Sequence, residues 1–285
     1  WYITGRAALR SSPTMIWKAI RMTISRPFAA SSPAPSRLAQ RVKSTAEVFR
    51  FRGSKMVGIW ARPLDAKPAF PAVLMLHGFP GSEKNVDLQR WLMERGTASF
   101  APHFSGAWGS QGTYRFATLV DQARAALKVL AAQDYVDARR LAVFGFSMGG
   151  WTALNLGARV QGLKGVAAVA PVGGPEMLGP DARSMITRLS NPLAAPAPGT
   201  LFADFAASVR RLDPAAAVAR PGAPLLLVHG TEDPVVPFGV GRRLAAAAGT
   251  RARFVTARGA DHAYLDRRPW LVRLTGSWLL SRLRS

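Results

Sequence analysis

The chain contains no cysteine, so any covalent chemistry must use another atom, and a serine hydroxyl is the natural nucleophile. Thiolate nucleophiles, disulfides and Cys-ligated metals are thereby excluded. A serine hydroxyl is a weak nucleophile at neutral pH and needs a base in hydrogen-bond reach and a further group to orient that base. One serine stands in a segment suited to this: Gly145-Phe146-Ser147-Met148-Gly149-Gly150, with an apolar run before it and a helical pattern after it. Gly-x-Ser-x-Gly in that setting predicts a strand–turn–helix elbow. The turn is so tight that the residues two before and two after the serine must have almost no side chain. It raises the hydroxyl to a helix N-terminus, where backbone N–H groups and the helix dipole favour developing negative charge. The chemistry this implies is acyl transfer through Ser147.

Four histidines could serve as the base: His77, His103, His229 and His262. After an elbow of this kind the acid and then the histidine follow later strands in chain order. His262, in Gly259-Ala260-Asp261-His262, follows the last strand pattern, and Asp233, in Thr231-Glu232-Asp233-Pro234, follows the one before it. Glu232 and Asp261 are the neighbouring alternatives for the acid. Glu232 is weaker because Asp233 sits against Pro234 in the turn, and Asp261 is close in sequence to the imidazole it would have to face. For the oxyanion, His77-Gly78-Phe79-Pro80-Gly81-Ser82 presents the N–H of Phe79, and Met148 supplies the second donor. His77 reads as a residue fixing that loop. His103 and Trp108, near the same sheet edge, are candidates for the substrate pocket; for His103, loop bracing and simple packing are the other readings.

Those residues need a scaffold that brings loops from distant parts of the chain to one edge. Alternating β-rich runs and helical stretches from Ala46 onward predict it. Strands are expected at residues 48–52 and 56–62, joined by Gly53-Ser54, then at 72–76, 97–101, 141–146, 166–170, 225–228 and 253–256. Helices are expected at 85–95, 119–132, 151–159, 240–248 and 269–284. Continuous apolar runs such as Ala72 to Leu76 mark strands covered on both faces. The fold class is therefore α/β, a doubly wound, mostly parallel eight-stranded sheet. Residues of about 172–221 interrupt the rhythm with several prolines and a single helical pattern, Phe202 to Leu212, and read as a small cap. Met177, Leu178, Phe202 and Phe205 of this cap are further pocket candidates.

The 285 residues, 48% of them apolar, suffice for one large core, and a net charge of +22 is the unusual property. Residues 1–62 hold 12 Lys and Arg against one acid, and residues 251–285 hold 8 against 2, so the excess sits at the two ends. Residues 1–45 are expected to be a flexible basic segment, and residues 46–285 the folded domain. The segment is Arg- and Ser-rich like an organellar transit peptide but lacks the apolar core of a secretory signal, so a cytoplasmic location is favoured. No apolar run is long enough to span a membrane.

The stretches HGFPGS (77–82), HFSGAWGSQG (103–112), GFSMGG (145–150), HGTEDPVVP (229–237) and GADH (259–262) resemble the α/β-hydrolase superfamily. Within it they resemble cinnamoyl-esterase-like carboxylesterases and the catalytic domains of prolyl-oligopeptidase-type peptidases, over residues of about 46–284. Relatives often carry Tyr-Arg-Gly after the equivalent of Pro102, where this chain has His103-Phe104-Ser105-Gly106. The resemblance implies Ser147 as nucleophile, Asp233 as orienting acid, His262 as base, and Phe79 and Met148 as oxyanion donors, with no metal and no cofactor. The expected substrate is a small-molecule ester with an apolar or aromatic acyl group. A peptidase or amidase of the acylaminoacyl or dipeptidyl type is the alternative, and acyl transfer to an alcohol would use the same residues. A non-catalytic scaffold that docks anionic partners through its basic ends is the reading from another class. No nucleic acid is obligatory, and the chain is expected to be a monomer or a homodimer.

Overall fold

A computed structural model describes residues 42–64, 69–220 and 222–285. All eight expected strands form one sheet in the order β1-β2-β4-β3-β5-β6-β7-β8. They are β1 Val42–Phe51, β2 Ser54–Pro63, β3 Phe70–Leu76, β4 Ala98–Pro102, β5 Val136–Phe146, β6 Gly165–Val169, β7 Leu225–Gly230 and β8 Ala252–Ala257. β2 runs antiparallel to both β1 and β4, and every other pairing is parallel. The sheet is thus doubly wound and mostly parallel, as expected. β5 begins at Val136 rather than 141, and β1 begins at Val42, inside the stretch assigned to a flexible segment ending at residue 45. Pairing across the turn explains this, since Val42 to Ala46 match Pro63 to Ile59 in register even though their own sequence carries no strand pattern. The rest of the expected basic segment, residues 1–41, lies outside the described residues.

The central strands are apolar throughout because each feeds two cores. Leu74 and Leu76 of β3 join the core under α2 (Leu119–Ala131), α3 (Met148–Gly157) and α7 (Phe238–Ala248), while Val73 and Met75 join the one under α1 (Val86–Met93) and α8 (Arg268–Arg284). Side chains alternate across a strand, so a strand covered on both sides cannot alternate in polarity. α3 is the most enclosed helix: Met148 to Leu156 are all buried, with Trp151 fully so. Each such large apolar side chain contributes about 1.5–3 kcal/mol by leaving water.

Register decides what meets at the sheet edge. Leu76 lies opposite Gly145, Phe146 opposite Val169, Val169 opposite Val228, and His229 opposite Thr256. The loops after β3, β5, β6, β7 and β8 therefore leave from the same C-terminal edge, where open parallel sheets place their ligands. Between β6 and β7 lie α4 (Ala182–Leu189), α5 (Pro198–Arg211) and α6 (Pro214–Val218), with a 3-10 turn at Pro175–Met177. Only α5 had a sequence pattern strong enough to anticipate. α4 buries just Ala182 and Ile186, too narrow a stripe to read, and α6 is a single short turn capped by Asp213, whose carboxylate accepts from the Ala215 N–H. The cap is tied to the loop after β4: Gly106 and Ala194 share a hydrogen bond, as do Tyr114 and Ala194, and Asp204 accepts from the Phe116 N–H at 2.6 Å.

Candidate active site

Ser147 takes φ 54° and ψ −118° at the junction of β5 and α3, a conformation that non-glycine residues avoid. Its neighbours hold it there. The Ser147 N–H donates to Val169 O at 2.9 Å, and its carbonyl accepts from Trp151 and Val172. A Cβ on Gly145 would come within 2.1 Å of Gly149 O, and one on Gly149 within 2.0 Å of Leu76 O. The two flanking glycines are thus required by close approach of backbone to backbone.

His262 Nε2 lies 3.0 Å from Ser147 Oγ, and His262 Nδ1 lies 2.7 Å from Asp233 Oδ2. The other carboxylate oxygen, Asp233 Oδ1, accepts from the N–H groups of Val235 and Val236 at 2.8 Å each. Burial alone pushes this carboxyl up. The ring N–H groups of His229 and His262 and the backbone of Val236 outweigh it and hold Asp233 well below the usual carboxylate range. His229 Nε2 is 3.6 Å from Asp233 Oδ2 but donates to Val236 O at 2.9 Å, so toward the carboxylate it acts as a facing dipole. The hydroxyl, imidazole and carboxylate form a continuous chain in which His262 Nδ1 faces the carboxylate and Nε2 faces the hydroxyl. Of the alternative acids, Asp261 Oδ1 accepts from the Tyr264 N–H and Glu232 is exposed, and neither reaches His262.

The loop after β3 runs against the elbow, and a Cβ on Gly78 would sit 3.1 Å from Ser147 Cβ. His77 Nδ1–H donates to Gly78 O at 2.8 Å, and His77 Nε2 accepts from the Phe104 N–H at 3.3 Å. Gly78 C=O and Phe79 N–H belong to one planar peptide and point in opposite directions, so fixing the carbonyl fixes the donor. Burial, with the nearby Lys84 ammonium, lowers His77 to about 3 and keeps the ring neutral, as this two-sided role requires. Met148 opens α3, where an N–H has no intrahelical acceptor.

The pocket candidates fall into two groups. Phe205 is buried and stacks edge-on to Phe116, which packs on Phe79 at 5.1 Å, so an aromatic row leads from the cap to the loop after β3. Met177, Leu178 and Phe202 are partly buried against the same core. His103 and Trp108 are occupied differently. His103 Nδ1–H donates to Trp108 O at 2.8 Å, and Trp108 Nε1–H donates to Pro80 O at 2.9 Å, so both brace loops.

Three contributors were given no part in the site by the sequence. Arg243 on α7 binds Asp213 through both Nη atoms, at 3.0 and 3.1 Å, and also binds Glu176. Lys84 covers the Trp108 ring at 4.5 Å, and His229 faces the Asp233 carboxylate. Each depends on a partner far along the chain or across a turn. His229 alone gave a signal, as a histidine closing an apolar strand. Among the described residues no group of histidines and carboxylates could hold a metal, and no helix is long and apolar enough to cross a membrane.

Comparison with known proteins agrees with this fold. A model of the prolyl oligopeptidase family matches residues 89–283. An uncharacterised protein of Mycobacterium tuberculosis is 29% identical over 254 residues, covering 87% of this chain and 82% of its own. The structure of Est1E from Butyrivibrio proteoclasticus with ferulic acid bound superposes with a TM-score of 0.69 at 19% identity, over 84% of this chain and all of that one. A Mycobacterium tuberculosis puromycin-hydrolysing peptidase gives 0.63 at 20% identity, over 84% of this chain and 39% of its own. At these identities the structural likeness speaks to the α/β-hydrolase fold.

Proposed function

Within the prolyl oligopeptidase family, to which the chain belongs as a serine hydrolase of the α/β-hydrolase type, we propose that it cleaves small carboxylic esters with apolar or aromatic acyl groups. His262 takes the Ser147 proton as Oγ attacks the acyl carbon, and the oxyanion that forms is met by the N–H groups of Phe79 and Met148. The His262 imidazolium, stabilised by Asp233, then protonates the leaving alcohol. Water, activated by the same imidazole, releases the acid and restores Ser147.

The observation that carries ester over amide is the state of the cap's acids. A peptidase that recognises a substrate amine needs free carboxylates facing its pocket. Here Glu176 and Asp213 are both turned onto Arg243 by ion pairs, and Asp204 is held by the N–H groups of Phe116 and Ala117. Asp181, the remaining acid of the cap, is exposed. The partly accessible groups left to meet an acyl chain are Phe79, Phe202 and Met177, with Phe116 and Phe205 buried behind Phe79. The ferulic acid bound by Est1E supports an aromatic acyl group, and that protein matches this chain over its full length.

The test compares p-nitrophenyl esters of increasing acyl length and aryl cinnamates with aminoacyl p-nitroanilides. Esters are expected to turn over faster, and Ser147→Ala is expected to abolish turnover while the protein stays folded. Faster cleavage of the anilides would refute the ester reading, and turnover in Ser147→Ala would refute the site.

A further inference from the structure

Trp108 has a backbone conformation that calls for explanation. Its φ is +50°, in the left-handed region that a bulky side chain rarely enters, and the residue is 41% exposed. Such outliers persist where surrounding contacts over-determine them, and they gather at functional sites. Here the contacts are specific. His103 Nδ1–H holds the Trp108 carbonyl, the Trp108 indole N–H holds Pro80 O, and the Lys84 ammonium lies over the ring at 4.5 Å. Lys84 Nζ also donates to Gly81 O, in the same loop.

The platform beneath Trp108 is fixed. Ser110 Oγ donates to His103 O at 2.8 Å and accepts from the Val57 N–H at 2.9 Å, while Gln111 exchanges hydrogen bonds with both backbone groups of Lys55. The loop after β4 is thereby anchored on β2. Its contact with the oxyanion loop is close: a Cβ on Gly81 would fall 2.8 Å from the indole Nε1 and 2.5 Å from His77 Nδ1, and Gly81 itself has φ +96°. The segment from Gly78 to Gly81 is therefore gripped at its start by His77 and at its end by Trp108 and Lys84.

We propose that Lys84 and Trp108 form a clamp that holds the oxyanion loop in position, so that both are positioning residues for the Phe79 donor, the indole N–H acting on Pro80 and the ammonium on Gly81. This rests on the ester-hydrolase reading of Ser147. A donor that must meet developing charge gains by being held before the reaction rather than reorganised during it. Lys84 is suited to the task because burial, opposed by Glu83, lowers it to about 8, the mark of an ammonium withdrawn from water. A cation over an aromatic face is stronger under such partial desolvation.

Trp108→Phe keeps a ring under Lys84 and removes the donor to Pro80; Lys84→Met keeps the aliphatic stem and removes the charge. Both are expected to lower kcat for an aryl ester about tenfold, part of the 10²–10³ that losing an oxyanion donor costs, with KM within about twofold of wild type. Phosphonylation of Ser147 by a fluorophosphonate, whose transition state uses the same donors, should slow by the same factor. Lys84→Arg should restore most of the rate, and the double variant should lose less than the product of the two single losses, since both grip one loop. An increase in KM at unchanged kcat would overturn the proposal and make Trp108 a wall of the pocket; unchanged kcat and labelling would overturn it outright. If Trp108→Phe does not fold, the contrast of Lys84→Met with Lys84→Arg decides. The two readings fail differently: wild-type Ser147 that resists labelling removes both, whereas wild-type protein that labels but prefers amides removes only the ester reading and leaves the labelling rates to judge the clamp.

Discussion

Replacing Asp233 by Asn alters one atom and tests the whole relay. Asp233 Oδ1 accepts two backbone N–H groups, from Val235 and Val236, at 2.8 Å each. An amide at this position must keep its oxygen there, because turning its NH₂ toward two N–H donors would leave both without an acceptor, at about 1–3 kcal/mol apiece. The NH₂ group is then forced into the place of Oδ2, 2.7 Å from His262 Nδ1. His262 Nδ1 must accept, its proton moves to Nε2, and Nε2–H points at Ser147 Oγ. The imidazole becomes a donor to the hydroxyl it should deprotonate, and the carboxylate that stabilises the imidazolium is gone. The expected loss in kcat is about 10³–10⁴, or about 4–5.5 kcal/mol of transition-state stabilisation, with little change in KM. Steady-state hydrolysis of p-nitrophenyl butyrate measures it, with circular dichroism confirming the fold. A variant retaining more than about a tenth of wild-type kcat, beside an inactive Ser147→Ala, would refute the reasoning and place the orienting acid elsewhere.

Gly149→Ala would put a methyl group 2.0 Å from Leu76 O and 2.6 Å from His77 O, both backbone atoms at the base of the loop after β3. Thermal unfolding should show a loss of at least about 1–3 kcal/mol together with reduced kcat; a melting temperature equal to wild type would contradict the close packing. Stability should also fall with acid. As pH drops below 6.5 the unfolded chain protonates His77, while the folded ring, lowered to about 3 by burial and Lys84, does not. The stabilisation from neutral His77 is thus lost progressively between pH 6.5 and 3, and Asp233, also depressed, adds to the loss below the ordinary carboxylate range. A melting temperature flat from pH 7 to 4 would show that His77 is not buried neutral. Arg243→Met should cost little stability, since the ion pairs are partly exposed, but should loosen the turn carrying Met177 and raise KM for long acyl esters more than for acetate. A uniform change across acyl lengths would mean that the turn does not border the acyl site.

The fold and the chemistry were legible to different depths. Runs such as Ala72–Leu76 and Leu141–Phe146 announced strands buried on both faces, and the eight strands formed as expected. β1 was longer than its sequence suggested because its first residues are strand only through pairing with β2. In the cap, α4 and α6 escaped notice because they bury too few residues to leave a periodic mark.

By itself the sequence determined that no thiolate could carry covalent chemistry, that Ser147 would stand on a turn too tight for side chains beside it, and that His262 and Asp233 would leave the sheet after its last strands. These are local facts: residue types, small-residue spacing and apolar periodicity act within a few residues of themselves. Tertiary structure alone decided that three side chains up to 115 positions apart meet in one hydrogen-bonded chain, because strand register sets which loop ends lie side by side. It alone committed Glu176 and Asp213 to Arg243, and joined the indole of Trp108, a pocket candidate in the sequence, to the carbonyl of Pro80. Partnership between groups distant in sequence is a property of the packed chain, and no periodicity in the unfolded one records it.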